Sequence, residues 1–168
     1  IKTDEEIQGV VLKGVGSDFD WSYFSKNMVD GSVFTVNDTV KTDKVIISKK
    51  ISDLLKLHTG DSFVMHFVQD PPRMRKFTVS GIYETSLEEF DKIYVFCDIG
   101  HIKKLNGWND DQVSGFEVFI DDFDALDKMT LAVRDAIGYR ITEEDTKFKA
   151  TNIRIKYPQI FDWLNFQD

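Results

Sequence analysis

The sequence predicts an α+β fold, on three observations. Short runs of β-branched and aromatic residues recur through the first two thirds of the chain, separated by Gly, Pro and Asp turns. Short stretches of helical period sit between them and open on Ser or Asp. From about residue 115 the pattern becomes strand, helix, strand. The 168 residues are 42% hydrophobic and 13% aromatic, with 14 Phe and 3 Trp, which is core material enough to fold without staples. The length allows one domain or two small lobes.

Residues 7–15 read as a strand carrying Ile7, Val10, Val11 and Val15, closed by Gly14 and Gly16. Asp20 is placed to cap a short helical turn over 21–24. A turn at Asp30-Gly31 and a short apolar strand follow, within 28–36. Residues 44–47 form a strand, and Ser48 caps a helix running to about Leu57. Ile51, Leu54, Leu55 and His58 share one face of that helix, and Gly60 is placed to end it left-handed. Residues 61–68 alternate, with Phe63, Met65 and Phe67 on one side. A turn over 70–73 joins them to a strand at 77–83, making a hairpin. In that second strand Val79 and Tyr83 fall on one face and Ile82 on the other. Gly81 there marks a bulge or a close backbone approach.

Residues 92–97 are a further strand. Asp98 caps a helix through Leu105, which Asn106-Gly107 ends. Residues 115–120 read as a strand and 122–137 as a helix with Phe123, Leu126, Met129, Val133 and Ala136 in register. Gly138 stops that helix, 139–142 begin another strand, and Ile153 and Ile155 alternate. Residues 158–166 close the chain as an amphipathic helix with Pro158 in its first turn. The N-terminal strand is grouped with the later strand–helix–strand unit. The chain then divides into an α+β lobe of 1–16 and 108–157, an interrupting β-rich lobe of 17–107, and a terminal helix over 158–168.

The chemistry-bearing residues argue against several classes. A formal net charge of −8 leaves no basic surface for nucleic acid and repels anionic lipid. The single Cys97 lies in an apolar run and reads as a small buried hydrophobe. His58, His66 and His101 lack the spacing of a zinc pair, so no metal is expected. Asp121, Asp122, Asp124 and Asp127 lack the Gly and terminal Glu of a calcium loop and read as helix-capping charge. Ser80-Gly81 and Ser114-Gly115 are strand-like rather than nucleophile elbows. No phosphate loop or dinucleotide fingerprint is present, so no cofactor is expected either. Glu88-Glu89-Phe90-Asp91 reads as a solvated acidic loop. No apolar stretch approaches the ~20 residues that span a bilayer. The residues thus supply no catalytic constellation.

Two segments carry a resemblance. The first is 45–61, Val45-Ile46-Ile47-Ser48 through Leu57-His58-Thr59-Gly60-Asp61. It resembles the strand, helix, Gly-Asp pattern of the MacB-like periplasmic core domain. The second is 77–85, Phe77-Thr78-Val79-Ser80-Gly81-Ile82-Tyr83-Glu84-Thr85, followed by Glu89-Phe90-Asp91 and the strand 93–96. It is similar to a run in lipoprotein-releasing ABC-transporter permeases. The run 113–118 and the helix after it look like that family's βαβ lobe, and 157–164 resembles its juxtamembrane segment. The resemblance implies a porter-like lobe interrupted by a sabre-like lobe, on the periplasmic face of the inner membrane. It implies a non-catalytic domain that passes on motion driven by a separate ATPase subunit. The other implied partners are a second permease copy or paralogue, and a lipoprotein cargo or its carrier chaperone. The counterpart of the family's long hairpin hook, 68–76, is short here. Candidate contact residues are Pro71, Pro72, Arg73 and Met74 at the hairpin tip, and Glu84, Glu88, Glu89, Phe90 and Asp91 in the loop beyond it. The rival readings are a permease of the same fold serving efflux or cell division, and a soluble hydrolase or ligand-binding protein.

Overall fold

The computed structural model describes residues 1–3, 6–85, 87–137, 149–158 and 161. It is a mixed α+β structure that divides into two compact units, residues 1–114 and 115–168.

The first unit is built on one six-stranded sheet. In chain order its elements are β1 (Val11–Val15), α1 (Ser22–Lys26), β2 (Met28–Gly31), β3 (Lys44–Ser48), α2 (Lys49–Leu55) and β4 (Ser62–Phe67). They continue with β5 (Arg73–Tyr83), α3 (Glu88–Asp91), β6 (Tyr94–Asp98) and α4 (Ile99–Asn106). The sheet order is β1-β6-β3-β5-β2, with β4 pairing to β5 beside this path. β3 and β6 are antiparallel, β1 runs parallel to β6, and β5 runs parallel to β3.

The strand over 7–15 is thus shorter than its apolar run suggests, and it joins a different neighbour. Grouping 1–16 with the later unit is not what the pairing shows. Val11 to Val15 lie in register with Tyr94 to Asp98 of the middle segment. Val10 and Leu12 pack on that segment's core. A strand is placed by the edge that satisfies its backbone, and β6 offers such an edge.

β3–α2 and β6–α4 share one local design. In each, the last strand residue caps the helix that follows. Ser48 Oγ accepts from the Ile51 amide at 3.1 Å, and Asp98 Oδ1 accepts from the Gly100 amide at 2.8 Å. Gly107 ends α4 in the left-handed conformation, as its sequence context predicts. α2 ends differently: Lys56 takes the left-handed position at φ 53°, and Gly60 instead donates its amide to the Val79 carbonyl. The helix stops at Leu55, so Leu54 is 46% exposed and Ser52, not Leu54, lies inward. His58, beyond the helix end, is exposed as well.

Both faces of the sheet are covered. One carries Val45, Ile47, Val79, Ile82, Val95 and Cys97, packed against Ile51 and Leu55 of α2 and against Phe63, Met65 and Phe77 of the hairpin. The other carries Val15, Ile46, Tyr83 and Phe96, packed against Phe24, Phe34 and half-buried Phe19, Trp21, Phe90 and Tyr94. Burial on both faces explains why β3 reads as a continuous apolar run rather than an alternation. The segment supplying the second cover contains β2, which incorporates Asp30 and Gly31 as strand residues rather than a turn.

β5 links these faces, and it contains a bulge. Val45 pairs with Val79 and Ile46 with Gly81, so Ser80 is an extra residue in the ladder. The extra residue reverses the side-chain parity beyond it. Val79 and Ile82 therefore share one core face and Tyr83 lies on the other, the opposite of what strict alternation predicts. Gly81 also meets a close backbone: a Cβ there would lie 2.7 Å from the Ser32 carbonyl oxygen and 2.8 Å from the Ser32 nitrogen. Both roles expected of this glycine are present.

In the second unit a 3₁₀ turn at Phe123–Ala125 leads into α5 (Leu126–Ile137), and α6 (Ile153–Lys156) follows. Asp122 caps the turn, its Oδ1 accepting from the Asp124 amide at 3.0 Å. Leu126 is the buried member of the α5 face, while Met129 remains 38% exposed. Residues 115–120 are not a strand; Phe116 and Phe119 are 82% and 77% exposed. Alternation alone does not make a strand, and among the described residues no backbone pairs with this run. Ile153 and Ile155 sit in a helical turn rather than an extended alternation. The strand expected at 139–142 and most of the helix expected at 158–166 lie outside the described residues.

The bulge generates a stability prediction. Gly81→Ala should lower the unfolding free energy by about 1–3 kcal/mol, because the Ser32 backbone blocks the new methyl even if the Met28 side chain moves aside. Gly9→Ala, with nothing within 4 Å of the added carbon, should stay within about 0.5 kcal/mol of the parent. Urea unfolding followed by tryptophan fluorescence measures both.

Candidate functional site

The contact residues expected from the sequence lie at two places, the β4–β5 tip and the segment joining β5 to β6. At the tip, Phe67 pairs with Arg73, leaving 68–72 as the connecting loop. Pro71, Pro72 and Met74 are exposed. Arg73 is not a free contact group. Its Nη1 donates to the carbonyls of Lys104 and Leu105, each at 3.2 Å. A guanidinium thereby satisfies the last carbonyls of α4 and complements the negative end of that helix. The tip is tied to α4 at its base and exposes prolines and Met74 beyond. Val68, fully exposed, belongs to the same surface. The alternation of 61–68 placed Val68 inside the strand, and only the hairpin register puts it in the loop.

The segment after β5 is an ordered corner. Asp91 is 4% exposed. Its two carboxylate oxygens accept from the Thr85 amide at 3.0 Å and the Thr85 hydroxyl at 2.6 Å. The Thr85 hydroxyl oxygen in turn accepts from the Leu87 amide at 3.2 Å. The Asp91 carbonyl accepts from the Ser48 hydroxyl, whose oxygen also caps α2. One chain of hydrogen bonds therefore joins the start of α2, the end of α3 and the exit from β5. Asp91 is consumed by this network and is unavailable to a partner, so its assignment as a contact residue is corrected.

Phe90 is also engaged inwardly. Its ring lies 4.5 Å from that of Tyr94 and within 6.3 Å of Phe24, Tyr83 and Phe96. Tyr83 is held in place by its hydroxyl, which donates to the Tyr94 carbonyl at 2.9 Å. Burial, with the Asp91 carboxylate beside it, pushes the Tyr83 phenol well above its ordinary value. Glu88 bridges Lys50 of α2 and Lys92, and these hydrogen bonds hold its carboxyl below the usual range. Glu89 also pairs with Lys92, at 3.3 Å. Because these groups are exposed, the ion pairs shape surface charge more than stability. Glu84 is exposed, its amide donating to the Asn27 carbonyl at 3.0 Å.

The structure therefore divides the nine expected contact residues. Pro71, Pro72, Met74, Glu84, Glu88 and Glu89 face solvent. Arg73, Phe90 and Asp91 build the scaffold that presents them. The acidic corner was legible as a charge run. Its internal clasp was not, because Thr85 and Asp91 meet only once the chain turns.

Of the remaining candidates for chemistry, Cys97 and His101 are built into the interior, whereas His58 and His66 are exposed. Cys97 is fully buried, burial pushes its thiol far above the ordinary value, and Sγ donates to the Asp98 carbonyl. Such a group stays a thiol and is a poor nucleophile. His58 faces solvent beside Asp61, His66 lies on the outer face of β4, and His101 is buried. No cluster of metal-ligating residues occurs among the described residues. A depression of about 390 Å³ opens between the end of α2 and β4, with Lys2 and Lys56 at its lining. None of the expected contact residues borders it.

No family model matches the chain, and no curated protein matches it closely enough to show kinship.

The Thr85–Asp91 clasp is testable. Asp91→Ala should lower the unfolding free energy by about 3 kcal/mol, since it removes a charged acceptor and strands the buried Thr85 amide. Glu89→Ala should change it by less than about 0.5 kcal/mol. Chemical denaturation of the two variants makes the comparison.

Proposed function

We propose that this chain is an extracytoplasmic, non-catalytic domain of an ABC-transporter permease of the lipoprotein-releasing kind. Its task is to relay ATP-driven motion to an exported cargo. The observation that carries the reading is how the two resembling segments are used. Residues 45–61 supply β3, the capped α2 and the turn into β4, and 77–85 supply the end of β5 and its exit. Ser48 and Asp91, one from each neighbourhood, are joined by a hydrogen bond. The segments thus pack together around β3 and β5, and elements packed in this way move as a unit.

The surface fits recognition better than covalent chemistry. Among its exposed features are an apolar hairpin tip, with Val68, Pro71, Pro72 and Met74, and an acidic corner, with Glu84, Glu88 and Glu89. Both are loops held on a sheet scaffold, where binding residues concentrate. In the working protein, ATP hydrolysis falls to a cytoplasmic subunit, and a second permease copy or paralogue completes the pair. The cargo is a lipoprotein, met directly or through its carrier. The domain faces the periplasm from the inner membrane.

The decisive experiment uses the full gene product. Hydrophobic spans of about 20 residues should flank this domain on both sides. Protease added to spheroplasts should then cut within the domain, and depletion should leave lipoproteins in the inner membrane. Flanks without such spans would sink the permease reading. Spans with normal lipoprotein sorting would retain the permease and reassign its cargo.

A further inference from the structure

His101 lies in the first turn of α4 with its side chain 1% exposed. Its Nε2 donates to the Thr42 carbonyl at 2.8 Å, which fixes the neutral imidazole as the Nε2–H form. The other ring nitrogen, Nδ1, is buried and has no hydrogen-bond partner among the described residues. On the β5 side the ring packs edge-on against Phe77, with centroids 4.8 Å apart. Thr42 is held at both ends by α4. Its amide donates to Asp98 Oδ2 at 3.0 Å, while the other oxygen of Asp98 caps the helix. Asp98 and His101 thus grip the backbone of the residue that leads into β3.

We propose that this grip is an acid-sensitive latch, in which protonation of His101 Nδ1 releases the 41–43 segment from the start of α4. The chemistry is local. A proton on Nδ1 creates an N–H donor with no acceptor among the described residues, and places a charge on a buried ring. Relief requires the ring to reach water, and the ring cannot leave without dropping the Thr42 carbonyl. The charged groups around the ring are Lys41 and Asp43 of the incoming segment and Asp98 of its own helix. Lys41 opposes protonation. Asp98 favours it, but both of its oxygens already accept from amides. Asp43 Oδ1 lies 3.2 Å from Nε2 and also favours the charged ring, but its carboxylate is 69% exposed and screened. Burial is the largest influence, and it holds the imidazole below its ordinary value.

The direction of the effect follows from that ordering. The open, solvated ring takes up a proton first as pH falls through the usual histidine range. The latch is therefore fully closed above that range and weakens as pH drops through it, until the buried ring itself protonates. In that window the opening constant approaches about a tenfold rise per pH unit, the limit for one linked proton.

The test is hydrogen exchange at the Thr42 amide, corrected for intrinsic rates, between about pH 7.5 and about pH 5. In the parent chain, protection of this amide should fall with acidity. In His101→Gln, whose side-chain amide can still donate to Thr42 but does not titrate, protection should stay level. Equal acid sensitivity in the two proteins overturns the latch. Should the variant fail to fold, the parent alone decides by NMR. A His101 imidazole titrating at or above the ordinary value of about 6.5 refutes the proposal, and one titrating below it together with Thr42 exchange supports it.

Discussion

The first unit depends on a single inserted residue. β5 is the strand on which β2, β3 and β4 all pair, so its side-chain parity dictates which groups enter which core. In a strand every residue inserted or removed reverses the faces beyond it. Ser80 is that residue. Below it, Phe77 and Val79 face the cover made by α2 and the hairpin; above it, Tyr83 turns to the aromatic cover on the other side. Gly81 makes the arrangement feasible, since the 32 backbone crosses where a side chain would stand.

Placing Tyr83 on the aromatic face has consequences along the chain. Its ring meets Phe24, Phe90 and Phe96, bringing α1, α3 and β6 to one point. The chain leaves β5 beside the start of α2, where the Ser48 hydroxyl and the Asp91 carboxylate fasten the corner. Polar groups in such a corner can be buried only because each has a partner. The same economy operates at the other helix start, where Asp98 serves both the Gly100 amide and the Thr42 amide. β3 and β6, side by side and antiparallel, thus each end in a cap that also binds a distant loop.

This construction bears on function through what it leaves outside. Rigid, doubly covered sheets move as units, and the groups free to meet a partner are the loops they carry. Here those include an apolar tip and an acidic corner whose Glu88 and Glu89 are paired with Lys50 and Lys92, both anchored at their bases by hydrogen bonds to helix ends. Arg73, read from sequence as a recognition residue, is such an anchor.

The sequence by itself determined the class, α+β, the positions of β3, α2, β4, β6 and α4, and the caps Ser48 and Asp98. These follow from local periodicity and from the need to satisfy the first amides of a helix, which neighbouring residues meet on their own. It also marked Gly81 as special. Only the tertiary structure decided that β1 pairs with β6, that Ser80 is the bulge and that Tyr83 faces the aromatic side. The same holds for Asp91 and Arg73 turning inward. The run 115–120 shows the converse, since its alternation finds no ladder among the described residues. For β1, the bulge and Arg73 the deciding group lies dozens of residues away, while Thr85 and Asp91 stand close in sequence and still meet only once the chain turns; a backbone edge or a buried acceptor is supplied by folding rather than by spacing.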